Sequence, residues 1–321
     1  MKGALVVGID YYKHHNPLYA CSKDARKIRD LLSNHYNGFA NFDVDLEVSE
    51  SSKYPITREF LRNKIESLFS KDPLEVALFY FSGHGYIEQT GGYLATSEAR
   101  KGHQGLSMSD IMKFVRASRA GNKIIILDCC YSGALGQYTK DENYSNLPDN
   151  TVILTASGAD EFAVEAGGSS LFTALLLDAL EGSAADLSGH ITPGSLYTHV
   201  DQSLGALQQR PIFKANVKRF ISLRKSEPPI PFEVLKRIAD FFENPDAIFP
   251  LDPSFEITEP SANPANVEVF KILQKLNRVN LVRPLPPDPY MYFAAVNSGA
   301  CALTVLGRHY WNLIRNNRLK S

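Results

Sequence analysis

The chain has 321 residues, enough for one large domain and a small one, with 44% hydrophobic and 21% charged residues. That composition is ordinary for a globular protein and excludes a disordered or collagen-like chain. The formal net charge of −1 excludes a chain-wide attraction to nucleic acid or an anionic membrane, and no apolar run approaches the roughly 20 residues of a membrane-spanning helix.

Leu5-Val6-Val7-Gly8-Ile9 reads as a buried first strand, and Asp10 arrives too early for a secretory signal. Ala20 to Asn34 repeats apolar residues at helical spacing (Ala25, Ile28, Leu31, Leu32). Phe42 to Val48 alternates as a half-buried strand does, and Thr57 is placed to cap a helix carrying Phe60, Leu61, Ile65 and Leu68 as far as Phe69. Val76 to Tyr80 predicts a buried strand that runs into Phe81-Ser82-Gly83-His84-Gly85. Ser107 or Ser109 caps a helix bearing Ile111, Met112, Phe114 and Val115. Lys123 to Ile126 predicts the next strand, which runs into Leu127-Asp128-Cys129-Cys130-Tyr131-Ser132-Gly133. Val152 to Ala156 is a further strand and Ser170 to Glu181 a helix. Arg210 to Lys214 is an edge strand, because Pro211 cannot donate in a central ladder. Strands alternating with helices of this length predict an α/β fold with a doubly wound, mainly parallel sheet.

Residues 136–150 are polar and read as a loop, and 226–231 is a proline-rich domain linker. Beyond it Phe232 to Phe242 is amphipathic, and Asn263-Pro264 opens a helix that holds Phe270, Leu273, Leu276 and Val279. Tyr290 to Val296 and Ala300 to Leu303 read as a hairpin across Asn297-Ser298-Gly299. Thr304 caps a last helix through Arg318.

The chemistry concentrates at two strand ends. His84 and Cys130 each stand where an apolar strand gives way to small residues, which is how an open α/β sheet presents a site. A cysteine needs a base to become a thiolate, and histidine is the usual one. The four cysteines, Cys21, Cys129, Cys130 and Cys301, are too few and too scattered for a disulfide framework and predict a reducing, cytoplasmic setting.

Several motifs then occur in a recognisable order: Ala4-Leu5-Val6-Val7-Gly8-Ile9-Asp10-Tyr11-Tyr12, Ala20-Cys21-Ser22-Lys23-Asp24-Ala25, Tyr80-Phe81-Ser82-Gly83-His84-Gly85, Asp128-Cys129-Cys130-Tyr131-Ser132-Gly133, Thr155-Ala156-Ser157 with Asp160-Glu161, and Ser170-Leu171-Phe172-Thr173. With them, the chain up to residue 225 resembles the caspase-like cysteine peptidases, and among these the metacaspases and their bacterial relatives. The resemblance implies a six-stranded sheet with helices on both faces, divided into a large-subunit-like part (1–135), a loop (136–150) and a small-subunit-like part (151–225). It implies Cys130 as nucleophile and His84 as base, with the backbone N–H groups of Gly85 and Cys130 as oxyanion donors. Tyr131 departs from the histidine common in metacaspases at a position that is not the base. Cys21, Asp24, Ser82 and Asp128 would surround the primary pocket, with Asp160 and Glu161 at its rim. Two carboxylates there favour a guanidinium or ammonium, so the expected cut follows Arg or Lys in a protein or peptide. Lys140 is a candidate for self-processing. The implied biology is regulated proteolysis, cell death or antiviral defence.

No cofactor and no metal are expected. The stretch Tyr86 to Tyr93 lacks the acidic cluster of calcium-dependent relatives, and His84 with Cys130 lacks convergent zinc ligands. His14, His15, His103 and His190 read as surface or satisfied polar residues. Residues 232–321 form a small α+β unit with a faint winged-helix order, expected to dock a regulator or the peptidase-like domain. Its run of Arg308, Arg315, Arg318 and Lys320 makes nucleic acid the lesser reading, and Tyr292, Tyr310 and Trp311 read as core. The competing readings are a catalytically silent scaffold and a nucleic-acid- or partner-sensing regulator acting through this unit.

Overall fold

The structure is a computed structural model that describes residues 1–72, 74–88, 90–100, 105–129, 147–156, 165–166, 169–204, 210–287 and 290–319. The chain divides into two units. Unit 1 holds residues 1–185 and 190–227, and unit 2 holds 186–189 and 228–321.

Unit 1 begins with β1 (Lys2–Ile9), α1 (Cys21–Ser33), β2 (Phe42–Ser49), α2 (Arg58–Ser70) and β3 (Val76–Ser82). Three short strands follow, β4 (Gly85–Glu88), β5 (Gly91–Leu94) and β6 (Leu106–Ser107), paired antiparallel as a small sheet of their own. Then come α3 (Met108–Ala117), β7 (Asn122–Asp128), β8 (Thr151–Thr155), the pair β9 (Glu165–Ala166) and β10 (Ser169–Ser170), and α4 (Leu171–Asp178). The unit ends with β11 (His190–Ile191), α5 (Pro193–Ser203), β12 (Ile212–Asn216) and β13 (Arg224–Lys225). The main sheet has the order β12-β8-β7-β3-β1-β2. Every neighbouring pair in it is parallel except β12 with β8, and β12 is the edge that Pro211 foretold.

The strands alternate between two cores. Leu5, Val7, Phe79, Phe81, Ile125 and Leu127 face α2 and α3, where Leu61, Ile65, Ile111 and Val115 meet them. Val6, Leu78, Tyr80, Ile124 and Ile126 face the other way, toward Ala25 and Ile28 of α1, Phe172 and Leu176 of α4, and Leu196 and Val200 of α5. Burial on both faces explains why these strands read as continuous apolar runs rather than as polar–apolar alternation. The predicted caps Thr57, Ser107, Asn263 and Thr304 each accept a backbone N–H of the helix that follows, and Ser170 does the same for α4.

Unit 2 contains α6 (Phe232–Lys236), α7 (Ile238–Phe241), β14 (Ile248–Pro250), α8 (Pro264–Arg278), β15 (Val282–Leu285), α9 (Met291–Val296), β16 (Ala300–Leu303) and α10 (Val305–Arg315). Its sheet has the order β14-β16-β15, all antiparallel, over a core of Leu235, Ile238, Phe242, Phe270, Leu273, Leu276 and Trp311. The first strand of this sheet stands beside the last, and α9 lies between β15 and β16 in the chain.

Four features differ from the sequence reading. Tyr290 to Val296 is helical, not the first arm of a hairpin. Met291, Ala294 and Ala295 are its buried residues, a helical spacing that an apolar run of this length hides. The helix expected over 232–242 is broken at Arg237 into α6 and α7, and α10 stops at Arg315, after which Asn317 turns left-handed with φ 53°. The two units divide between Glu227 and Pro228, within residues 226–231. Tyr292 is exposed, with Tyr290 and Phe293 beside it in sequence, whereas Trp311 is core and donates its indole N–H to the Phe242 carbonyl at 2.7 Å. Of the arginines near the end of the chain, Arg308 pairs with Asp246 at 2.8 Å and Arg315 lies over the Trp311 ring. Among the described residues no helix is long and apolar enough to cross a membrane.

Candidate active site

β2 lies on one side of β1 and β3 on the other, so the loops leaving β1 and β3 diverge and open a crevice at their carboxyl ends. A cavity of about 140 Å³ sits there, lined by Leu18, Ala20, Cys21, Asp24, Ser82, Gly83, His84, Asp128, Cys129 and Ser170.

Different elements deliver these side chains. Cys21 and Asp24 stand in the first turn of α1. The start of that helix is held by Asp10 at the end of β1, whose carboxylate accepts the N–H of Cys21 at 2.9 Å and of Ser22 at 3.3 Å. Gly8 lets the helix come down onto the strand, because a Cβ there would overlap the Cys21 carbonyl. Ser82, Gly83 and His84 leave β3, Asp128 and Cys129 leave β7, and Ser170 is the N-cap of α4.

His84 is fixed from three sides. Its backbone N–H donates to the Tyr12 hydroxyl at 2.8 Å, and its ring centroid lies 4.7 Å from that of Tyr12. Its Nε2 lies 2.9 Å from the Asn16 carbonyl oxygen. A carbonyl only accepts, so Nε2 carries the proton and Nδ1 is left as the basic nitrogen. Burial lowers the His84 pKa; the Asn16 bond opposes this, and the nearby His15 adds to the lowering. The imidazole is therefore neutral and able to take a proton at pH 7. Gly83 is required here, since a Cβ would meet the Tyr12 hydroxyl and the Phe81 ring.

The other side of the cavity is acidic and buried, with Asp24 0% and Asp128 4% exposed. Asp128 Oδ2 accepts from the Thr173 hydroxyl at 2.6 Å, and Thr173 meets the Tyr80 hydroxyl at 2.7 Å. Burial pushes the Asp128 carboxyl up to about 6; hydrogen bonds from Thr173 and Ser170 oppose this, and the Asp24 charge adds to it. Burial also pushes the Cys21 thiol well above its ordinary range, so Cys21 lines the cavity as an unreactive thiol. The site thus joins a neutral imidazole to two carboxylates able to hold a cation. Among the described residues no group of three or more His, Cys, Asp or Glu could hold a metal ion.

Of the residues singled out from sequence, the cavity brings together Cys21, Asp24, Ser82, His84 and Asp128, and Gly85 opens β4 immediately after His84. Cys130, Lys140, Asp160, Glu161, His103 and Lys320 lie outside the described residues. Cys130 is the residue after Cys129 in the chain. Sequence reasoning gave no role to Tyr12, His15, Asn16, Tyr80 or Thr173. A signal existed for Tyr12, Tyr80 and Thr173, which lie inside the motifs that end in Asp10-Tyr11-Tyr12, begin at Tyr80-Phe81-Ser82 and span Ser170-Leu171-Phe172-Thr173. Asn16 acts through its backbone, which carries no residue signature.

The model of the caspase domain matches residues 1–221. Metacaspase-1 of Plasmodium falciparum is 26% identical over 147 residues, which are 41% of this chain and 24% of that protein. The chain thus spans about a quarter of the length of that curated relative. The crystal structure of a protein from Geobacter sulfurreducens superposes with a TM-score of 0.52 at 16% identity, covering 71% of this chain and 98% of the other. Caspase-1 from Spodoptera frugiperda aligns with a TM-score of 0.49 at 15% identity, covering 70% of this chain and 91% of the other. The chain belongs to the caspase-domain family.

Proposed function

We propose that this caspase-domain protein is a cysteine endopeptidase that cuts after Arg or Lys. The observation that carries the reading is the cavity itself, where a neutral histidine, two buried carboxylates and the residue before Cys130 meet at the strand ends. In this mechanism the Cys130 thiol passes its proton to Nδ1 of His84, and the thiolate attacks the scissile carbonyl carbon. The backbone N–H groups of Gly85 and Cys130 receive the oxyanion. His84 then protonates the leaving amine, and the acyl-enzyme is released by water that His84 deprotonates. Asp24 and Asp128, with Cys21 and Ser82 beside them, hold the side chain of the residue before the cut. Lys140 is a basic residue at which the chain would process itself. Unit 2 docks a regulator of this activity in the cell, within regulated proteolysis, cell death or antiviral defence.

Two buried carboxylates speak against a silent scaffold, because an inert fold gains nothing from keeping them out of water. The test is a peptide library digested with wild type and with Cys130→Ala, and identification of the residue before each cut. Cuts after Arg or Lys that vanish in the variant are expected. Cuts after acidic residues would overturn the pocket assignment, and cuts that persist in the variant would overturn the nucleophile.

A further inference from the structure

We propose that Tyr80 and Thr173 are specificity-determining positioning residues: their buried hydroxyls form a one-way relay that fixes the Asp128 carboxylate for a cationic side chain. The inference rests on the reading of this cavity as the pocket for Arg or Lys.

Three elements distant in sequence supply the relay. Tyr80 is on β3, Asp128 ends β7 and Thr173 is in the first turn of α4. Both hydroxyl-bearing residues are 0% exposed, in a layer otherwise made of residues such as Leu78, Ile126, Phe172 and Leu176. Phenylalanine and valine would fill those places with no polar group to desolvate, so the hydroxyls carry a cost that packing does not explain.

Donor counting sets the direction. An ionised carboxylate only accepts, so the 2.6 Å contact uses the single proton of Thr173. The Thr173 oxygen must then accept at its 2.7 Å contact with Tyr80, and Tyr80 is the donor. Both protons point toward Asp128. Ser170, the N-cap of α4, adds a second hydrogen bond to the same carboxylate, and the amino end of the helix adds its positive pole. These donors favour the ionised form of Asp128 against the upward push of burial, and they hold the carboxylate against rotation. Both properties serve recognition of a guanidinium or ammonium. Burial drives the Asp128 carboxyl upward, against ionisation, and the Thr173 bond opposes that push.

The test uses the full chain carrying Cys130→Ala and agmatine, an alkyl guanidinium, as the probe. Binding is followed by calorimetry across the acid range. The parent is expected to bind, and Asp128→Asn to abolish binding. Thr173→Val weakens binding about tenfold and Tyr80→Phe about threefold. Thr173→Ser, which keeps the hydroxyl, restores parental affinity. The pH below which binding is lost moves upward in Thr173→Val, because the ionised carboxylate has lost a donor; a merely structural role would leave that midpoint in place. Binding lost in Asp128→Asn but unchanged in Thr173→Val and Tyr80→Phe would overturn the relay and leave the pocket standing. Binding indifferent to Asp128→Asn, or no binding by the parent, would overturn the pocket and the relay with it. If Thr173→Val fails to fold, Tyr80→Phe and Thr173→Ser still decide, since they are expected to give partial loss and retention.

Discussion

Unit 1 buries Asp24, Asp128 and Ser82 around one cavity, with Thr173 buried behind Asp128, whereas among the described residues of unit 2 the only buried polar or charged side chain is Glu256. Glu256 is satisfied locally, accepting from the backbone and hydroxyl of Thr258. Both units have continuous apolar cores, so the difference does not come from a need to fold. Burying a carboxylate costs free energy that only paired or hydrogen-bonded groups offset, and folds keep such groups where chemistry uses them. The contrast gathers the buried carboxylates that border a cavity into unit 1, where the proposed chemistry would take place.

Three measurements probe that contrast. The largest effect is expected from His84→Ala, which should lower kcat/KM on an Arg peptide by about 10³-fold with little change in thermal stability. A loss of only a few-fold would remove His84 as the base. Next, Phe242→Ala empties a fully buried place in unit 2 and should cost about 3–5 kcal/mol in denaturant unfolding of that unit. Activity of the folded protein toward small peptides should persist; loss in step with His84→Ala would place chemistry in unit 2. The smallest effect concerns Asp128. Its carboxyl is raised from 3.8 to about 6, so the native state binds the extra proton, and the stabilisation present below pH 3.8 is lost as pH rises through about 6. At about 1.36 kcal/mol per pH unit the loss is at most about 3 kcal/mol. Asp128→Asn lacks this titration, so its stability relative to wild type should rise between pH 4 and pH 6. A constant difference across that window would show that Asp128 does not titrate there.

Much of the fold was legible because its signals are local. Thr57, Asn263 and Thr304 announce helix starts by supplying an acceptor to backbone donors that lack one. The buried strands announce themselves by unbroken apolar runs, and Pro211 marks an edge because it has no N–H. The small sheet of β4, β5 and β6 escaped notice, since its strands are two to four residues long and follow a motif read only for its histidine. Tyr290 to Val296 reads as a strand and folds as a helix because a run of seven apolar and aromatic residues fits either period, and the alanines decide only once their neighbours are known.

At the site, the residue types and the motifs were in the sequence, and so were Cys21, Asp24, Ser82, His84 and Asp128 as a candidate set. How they are held was not. Asn16 reaches His84 across 68 residues with a backbone carbonyl, Thr173 reaches Asp128 across 45, and Tyr80 reaches Thr173 across 93. Sequence alone determined strand periodicity, helix starts and the small-residue breaks after β3 and β7, because these follow from bonding within a few residues. Tertiary structure decided which imidazole nitrogen is basic and which carboxylate receives a relay of protons. Those outcomes depend on strand order and on which loops share the crevice where that order reverses.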